Sequence, residues 1–304
     1  MSTSAARSAS KKTVSSGSLK EYLATTKKPS RLIGPIERHL LTRTLPNDRR
    51  QDVMHPSEIT KDDWCIREQY HRIQKAREDI AAGNRFIQDR HPLRLQSIFD
   101  TGHAAHAKWQ GYLSEMGALF GKWSCGFCAH SWHGEDGRCP KCHHLGTYGE
   151  VSLFNDDLLI SGSTDGWVTL EPSFLLEAKT VGTGTIRAYD PRMLADADYN
   201  LEKAFEMIRR PFKDHRRQAQ MYLYLAHDMA ARQDPSLSGR EAPAEAVVLY
   251  DCKANQAYKE FVVQYSPRQI EPFLDLAQKV VTGLEKGKAP KCNHGGCDKC
   301  EEKK

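Results

Sequence analysis

Glu177, Ala178 and Lys179 form an acid-x-lysine triplet inside the apolar run FLLEAKTV, and Asp165 precedes them in GSTDG, after Gly162. Alternate side chains of a strand share a face, so Glu177 and Lys179 point one way and Ala178 points into the packing. Residues 158–180 read as two short strands joined by a tight turn at Glu171, Pro172 and Ser173, with Asp165 in the first strand and Glu177 and Lys179 in the second. If these strands pair, Asp165 joins the other two side chains on that face. Two carboxylates there offer oxygen ligands to a hard divalent cation. A lysine beside them can orient or activate an attacking water. The chemistry that such a set suits is metal-assisted phosphodiester hydrolysis. An isolated acid-x-lysine triplet is usually a solvated strand face, so the weight of the reading rests on its company.

Cysteine is the second source of chemistry. Cys125 and Cys128 make one C-x-x-C pair, Cys139 and Cys142 another, with ten residues between the pairs. Four thiolates at this spacing form a closed tetrahedral site for structural zinc. Gly126 and Lys141 fall inside the tight turns, and His130, His133, His143 and His144 are spare nitrogen ligands that a four-cysteine site does not need. A ribbon this small cannot build a core, so metal would supply its folding energy. Three further cysteines, Cys292, Cys297 and Cys300, crowd the C-terminal tail. Within the chain their fourth partner is Cys65 or Cys252, unless His294 serves; Cys252, following a strand, reads as the more ordinary buried cysteine.

Stepping outward to the elements that must hold these residues, positions 1–30 are rich in Ser, Thr, Ala and Lys and read as a disordered basic tail. The main domain is expected over 31–304, interrupted by the ribbon at 121–148, with the cysteine cluster at 292–300. Ser57 or Thr60 is expected to cap a helix that carries Cys65, with acids in its first turn as the helix dipole favours. A second helix is expected from Leu93 to Phe120. Gly102 and His106 lie one turn apart on it, the glycine allowing close packing and the histidine facing a cleft or lying partly buried. The sheet is expected to begin near Gly149, Glu150 and Val151. A polar loop with Gly182, Gly184, Arg187 and Lys203 could track a nucleic-acid backbone. An amphipathic helix over 211–230 sets Gln218 and Tyr222 on one face, as a functional pair or as core and surface residues, with Arg216 and Arg217 just ahead. A hairpin over 244–251 and 258–265 and a last helix over 267–286 complete the pattern.

The chain of 304 residues is 39% hydrophobic, enough for one large domain, and its formal charge of +5 is too mild to prove nucleic-acid binding by itself. No apolar run reaches the length of a membrane span, and the N-terminus lacks the apolar core of a signal peptide. A soluble, cytoplasmic protein is expected, in the host cytoplasm if phage-encoded, with cysteines that bind metal rather than pair as disulfides.

In this order the pieces resemble the RecB-like branch of the PD-(D/E)XK nuclease superfamily. That branch runs a G-x-x-x-H helix, a G-x-x-D strand, an acid-x-K strand and a Q-x-x-x-Y helix. Here these are Gly102 with His106, Gly162 with Asp165, Glu177 with Lys179, and Gln218 with Tyr222. A lone cysteine after a P-S-x-x helix start, with three more beyond the nuclease core, resembles the iron–sulfur nucleases: the Cas-four-type CRISPR-associated exonucleases, their phage relatives and the AddB helicase-nuclease subunit. The resemblance covers His55 to Cys300. Two features depart from it: the C-x4-C-x2-C tail spacing, where the family more often shows C-x2-C with a longer second gap, and the zinc ribbon, which looks like an elaboration of phage versions.

The resemblance implies an α/β fold with a restriction-endonuclease-like core, a mixed sheet flanked by helices, and a cysteine-clamped site joining the N- and C-terminal parts. It implies His106, Asp165 and Glu177 as ligands of Mg²⁺ or Mn²⁺, with a backbone carbonyl near Ala178. Lys179 would position the water and stabilise developing charge, and Gln218 and Tyr222 would brace the site or touch the strand. Glu150 lies near a position where relatives often carry an acid. Cys65, Cys292, Cys297 and Cys300 would hold a [4Fe–4S] cluster, with a second zinc as the alternative. The function implied is a DNA exonuclease acting on single-stranded ends in phage or mobile-element replication, recombination or repair, which would bring replication or recombination proteins as partners. The alternatives are a structure-specific or nicking endonuclease, and a non-catalytic DNA-binding module.

Overall fold

A computed structural model describes residues 30–301. The expected basic tail lies outside the described residues but for Ser30. The chain divides into two units, one containing residues up to Leu45 together with Gln88–Ser97, the other Pro46–Ile87 and Ile98 onward. The first unit contains helix α1 (Ile33–Thr42) and the opening turn of a longer helix. Everything else described below belongs to the second.

Two helices occupy 56–81 where one is expected. Pro56 begins α2 (Pro56–Ile59), with His55 at its N-cap, and the chain turns before α3 (Ile66–Ala81), whose N-cap residue is Cys65. Neither Ser57 nor Thr60 caps a helix start: the Thr60 hydroxyl donates back to the Pro56 carbonyl at 2.7 Å. α4 (Leu93–Glu115) ends five residues earlier than its apolar pattern suggests, because Gly117 takes a left-handed φ of 66° and the chain leaves as a strand that contains Phe120.

Strands β1 (Leu119–Ser124), β2 (Ser131–Gly134), β3 (Thr147–Gly149), β6 (Gly166–Val168), β7 (Phe174–Val181), β8 (Glu245–Cys252) and β9 (Tyr258–Gln264) make one mixed sheet in the order β2-β1-β6-β7-β8-β9, with β3 on β1. β4 (Ser152–Asn155) and β5 (Ile160–Ser163) form a separate antiparallel pair. β7 and β8 are parallel neighbours, so a crossover must join them. It contains α5 (Thr183–Tyr189), α6 (Pro191–Asp196), α7 (Leu201–Met207) and the long α8 (Lys213–Ala231). The expected polar loop over 182–203 is therefore three short helices. Ile186, Leu194, Ala204 and Phe205 bury their side chains, and that apolar spacing, too sparse for one long helix, suffices for several one- or two-turn ones.

The central strands β7 and β8 are buried on both faces, as parallel strands under helices are. Leu175, Val248 and Tyr250 pack with Ala219, Leu223 and Ala226 of α8 on one face, while Leu176 and Leu249 pack with Trp109 and Leu113 of α4 on the other. The expected hairpin is β8 with β9. The expected last helix is α9 (Glu271–Glu285), followed by the single-turn α10 (Asp298–Glu301). The fold is thus α/β, a mixed sheet flanked by helices. No helix among the described residues is long and apolar enough to cross a membrane.

Candidate metal and phosphodiester site

Asp165 does not lie within a strand. It sits in the two-residue break between β5 and β6, where the chain leaves the small sheet and joins the main one. The β6–β7 register pairs Gly166 with Leu176, and one step back along it Asp165 stands opposite Glu177. Thr164 anchors the break by donating its hydroxyl to the Leu176 carbonyl at 2.9 Å. The Asp165 carboxylate accepts the Ala178 N–H at 2.7 Å. The close approach at Gly162 is physical as well: a Cβ there would meet Pro56 at 2.9 Å and Tyr222 at 3.1 Å. Gly102 has no such role, since nothing lies within 4 Å of where its Cβ would be.

His106 on α4 brings Nδ1 to 3.2 Å from the other Asp165 oxygen. That hydrogen bond holds the imidazole pKa above its ordinary value. Glu150 completes a group: ligand atoms of His106, Glu150 and Asp165 all lie within 4.8 Å of one another. Gln110, one turn beyond His106, donates to Glu150 at 3.1 Å and to the Asp165 carbonyl at 2.8 Å. Burial and the Asp165 charge push the Glu150 carboxyl up. Two acids crowded together, one of them pushed up, are what a cation site looks like before its cation neutralises it.

Glu177 stands beside this group rather than within it. Its carboxylate is 2% exposed and ion-pairs with Lys179. Burial, with the Asp165 charge, lifts its pKa to about 7 despite the lysine. Lys179 keeps its charge, because burial is outweighed by Glu177 and Asp165. Glu177 Oε1 is buried with the Lys179 ammonium beside it. The expected trio of His106, Asp165 and Glu177 thus differs from the structure in one member: Glu150 stands closest to the other two. Gln218 and Tyr222 are buried on α8, the amide donating to the phenol at 3.4 Å. Burial and the Glu177 charge hold the Tyr222 hydroxyl well above its ordinary pKa. Gln110 went unread in the sequence, although its i+4 spacing from His106 is a legible signal.

The cysteines fall into two groups of four, as Cys125, Cys128, Cys139 and Cys142, and as Cys65, Cys292, Cys297 and Cys300. In the first, Sγ atoms approach to 3.4–3.5 Å. Its two knuckles are alike: Ala129 and His143, each directly after a pair, take left-handed φ of 56° and 62°, and return N–H bonds to Cys125 and Cys139. Gly126 and Lys141 lie inside these turns, as expected. His130, His133, His143 and His144 stand outside the group, His144 stacking on the exposed Phe127.

In the second group, Cys65 and Cys292 are 3.8 Å apart, Cys292 and Cys297 3.7 Å, Cys297 and Cys300 3.3 Å. The tail docks by more than sulfur. Asn293 accepts the Ile66 N–H at 3.0 Å and donates to the Trp64 carbonyl at 2.9 Å, capping α3 from the far end of the chain. Lys299 pairs with Asp63 at 2.7 Å. Cys252 is buried in the core and His294 hydrogen-bonds Trp64, so neither is the fourth member. Both groups are thiolate sets that could hold a metal ion or cluster. Spacings near 3.5 Å approach the edge of a tetrahedron around one ion, about 3.8 Å for Zn–S bonds of about 2.3 Å.

No protein-family model matches the chain, and no curated protein sequence matches it. Two solved structures are similar over most of its length. The crystal structure of SSO0001 is 12% identical with a TM-score of 0.35, covering 87% of this chain and 86% of that one. The crystal structure of LHK-Exo in complex with dAMP is 11% identical with a TM-score of 0.40, covering 78% and 90%. At such identities and scores neither bears on what this chain does.

Proposed function

We propose that this protein is a metal-dependent deoxyribonuclease with a PD-(D/E)XK core of the RecB-like kind, degrading DNA from single-stranded ends. The observation that carries the reading is the convergence of His106, Glu150 and Asp165 beside a buried Glu177–Lys179 pair. Hard oxygen ligands and one imidazole suit Mg²⁺ or Mn²⁺. Such an ion would neutralise the charge that builds on a phosphodiester under attack. Asp165, held by the Ala178 amide, fixes the ligand geometry. Glu177 is the further acid toward the ion. Lys179 orients the attacking water and meets the developing negative charge. Gln110, Gln218 and Tyr222 hold these groups in place.

We read Cys125, Cys128, Cys139 and Cys142 as a structural zinc site. For Cys65, Cys292, Cys297 and Cys300 the iron–sulfur nucleases suggest a [4Fe–4S] cluster, to which the four-thiolate donor set is suited. The Sγ spacing of 3.3–3.8 Å favours a second reading, one tetrahedral zinc; a cluster would require the thiolates to spread. Metal analysis and the absorbance of protein purified without oxygen separate the two.

The test of function is purified protein with end-labelled single- and double-stranded DNA and Mg²⁺ or Mn²⁺. Progressive loss of end label from single strands is expected. Cutting of closed circular DNA would instead assign a nicking endonuclease, and binding without cleavage a non-catalytic module.

A further inference from the structure

The basic residues that the sequence leads one to seek over 182–203 are not where the open cationic surface lies. Lys203 is paired with Asp198 at 3.3 Å. A pocket of about 510 Å³ opens instead between the end of α5, the 207–212 segment and the first turn of α8. Arg209, Arg210, Lys213 and Arg216 line it, and its one acidic lining residue, Asp190, is occupied in capping α6 through the Met193 N–H at 3.0 Å. The acids nearest on the helix side are also taken: Asp62 by Lys213 and Arg217 at 2.7 Å each, Asp214 by Arg217 at 3.9 Å. Among the described residues no carboxylate pairs with Arg209, Arg210 or Arg216. Three uncompensated guanidinium groups around one concavity suit phosphate oxygens, which they can grip in bidentate fashion.

The pocket also has an aromatic wall. Tyr189 lines it, 37% exposed, stacked on Phe212 at 4.8 Å and 13° and in edge-to-face contact with His215 at 5.0 Å. That wall borders the candidate site: His215 hydrogen-bonds the Tyr250 hydroxyl at 2.8 Å, and Tyr250 is the partner of Lys179 in the β7–β8 register. α8 continues from Arg216 to Gln218 and Tyr222, roughly 9 Å along its axis at 1.5 Å per residue.

We propose that this pocket is a strand-binding subsite, in which Arg209, Arg210 and Arg216 grip the phosphates of a single-stranded nucleic acid next to the scissile bond and Tyr189 stacks a base. The proposal deepens the nuclease reading and rests on it for its place beside the reacting phosphate. Single strands fit better than duplex, because a base must be free of its partner to lie on Tyr189.

The test is binding of a fluorescent oligothymidylate, in Ca²⁺ without hydrolysis, across a salt series. The combined variant Arg209→Ala, Arg210→Ala, Arg216→Ala should bind at least tenfold more weakly, with the slope of log affinity against log salt reduced by about 2, as expected for three lost contacts at about 0.7 each. The lysine replacements at the same positions should keep most of that slope. Tyr189→Ala should weaken binding and leave the slope unchanged. Lys279→Ala with Lys286→Ala, exposed on α9 and at its C-cap, should change nothing. A triple variant with wild-type affinity and slope, or a wild type that does not bind, overturns the subsite. Binding that depends on the three arginines, with no cleavage in Mg²⁺ or Mn²⁺, would leave the strand subsite and overturn the nuclease reading instead.

Discussion

Asp165 accepts the backbone N–H of Ala178 at 2.7 Å, the residue between the acid and the lysine of the triplet. One carboxylate oxygen is thus committed to the strand and the other is turned toward His106 at 3.2 Å. A side chain held at both oxygens cannot wander, which is what a metal ligand requires of its surroundings.

Asp165→Ala should therefore abolish metal-dependent cleavage. It also leaves the Ala178 amide without its partner, at a cost of about 1–3 kcal/mol, so a lowered but cooperative melt is expected. Lys179→Ala should retain Mn²⁺ binding in calorimetric titration and lose about 10²–10³-fold in turnover, the scale of losing one charge-stabilising donor. Full activity in either variant would sink the assignment.

Glu150→Gln separates a ligand from a scaffold residue. The amide keeps an oxygen for Gln110 and removes the repulsion with Asp165 that pushes the acid up. Mn²⁺ affinity should drop while the metal-free melting temperature holds or rises. Unchanged Mn²⁺ affinity would remove Glu150 from the ligand set and return Glu177 to it.

The two cysteine groups should fail independently. Cys125→Ser should release about one zinc per chain and leave hydrogen exchange in α3 unaltered. Cys65→Ser should release the other metal and raise exchange both in α3 and around 292–300, because Asn293 and the thiols tie those segments together. Loosening of the tail alone would show that the clamp does not hold the helix.

His215 supplies a pH signature. Tyr250 accepts the Phe212 N–H at 2.8 Å and shares a hydrogen bond with His215 Nδ1, also at 2.8 Å. Burial, with the Lys179 charge, drives the imidazole pKa to about 3. A folded pKa below the unfolded one means that the unfolded chain takes up the proton first. Stability from this group is present above pH 6.5 and is lost as pH falls toward about 3. His215→Gln, which keeps a hydrogen-bond partner for Tyr250, should flatten the fall between pH 6 and 4 by up to about 1.4 kcal/mol per pH unit. Identical wild-type and variant pH profiles in urea melts would contradict it.

Much of this was legible in residue spacing. The paired knuckles, the β8–β9 hairpin and the amphipathic α8 follow from local pattern. The side chains of the four short motifs lie where close packing or hydrogen bonds meet, with Gly102 alone excepted. What spacing hid was the exchange of sheets at Thr164 and Asp165, since a break between two strands has the same alternation as one strand. Glu150 was indicated only by the resemblance, because it precedes β4 and meets Asp165 through tertiary folding. Cys65 was one of three candidates for the fourth thiolate-site ligand, and Asn293, which docks the tail, has no local signature at all. The three short helices of the crossover, α5 to α7, were missed because their apolar residues are too few for a long-helix pattern.

Cys65 and Cys292 are separated by 227 positions and meet at 3.8 Å. On a ribosome adding about 5–20 residues per second, the first thiol waits roughly 10–45 s for its partner to be made. Through that interval α3 lacks both its Asn293 cap and its sulfur neighbours, while the strand bearing Glu177 and Lys179 is made about midway through it. Closure of the clamp is accordingly a late event of biogenesis, and a nascent chain stalled before Cys292 would carry Glu177 and Lys179 on a scaffold still open at α3.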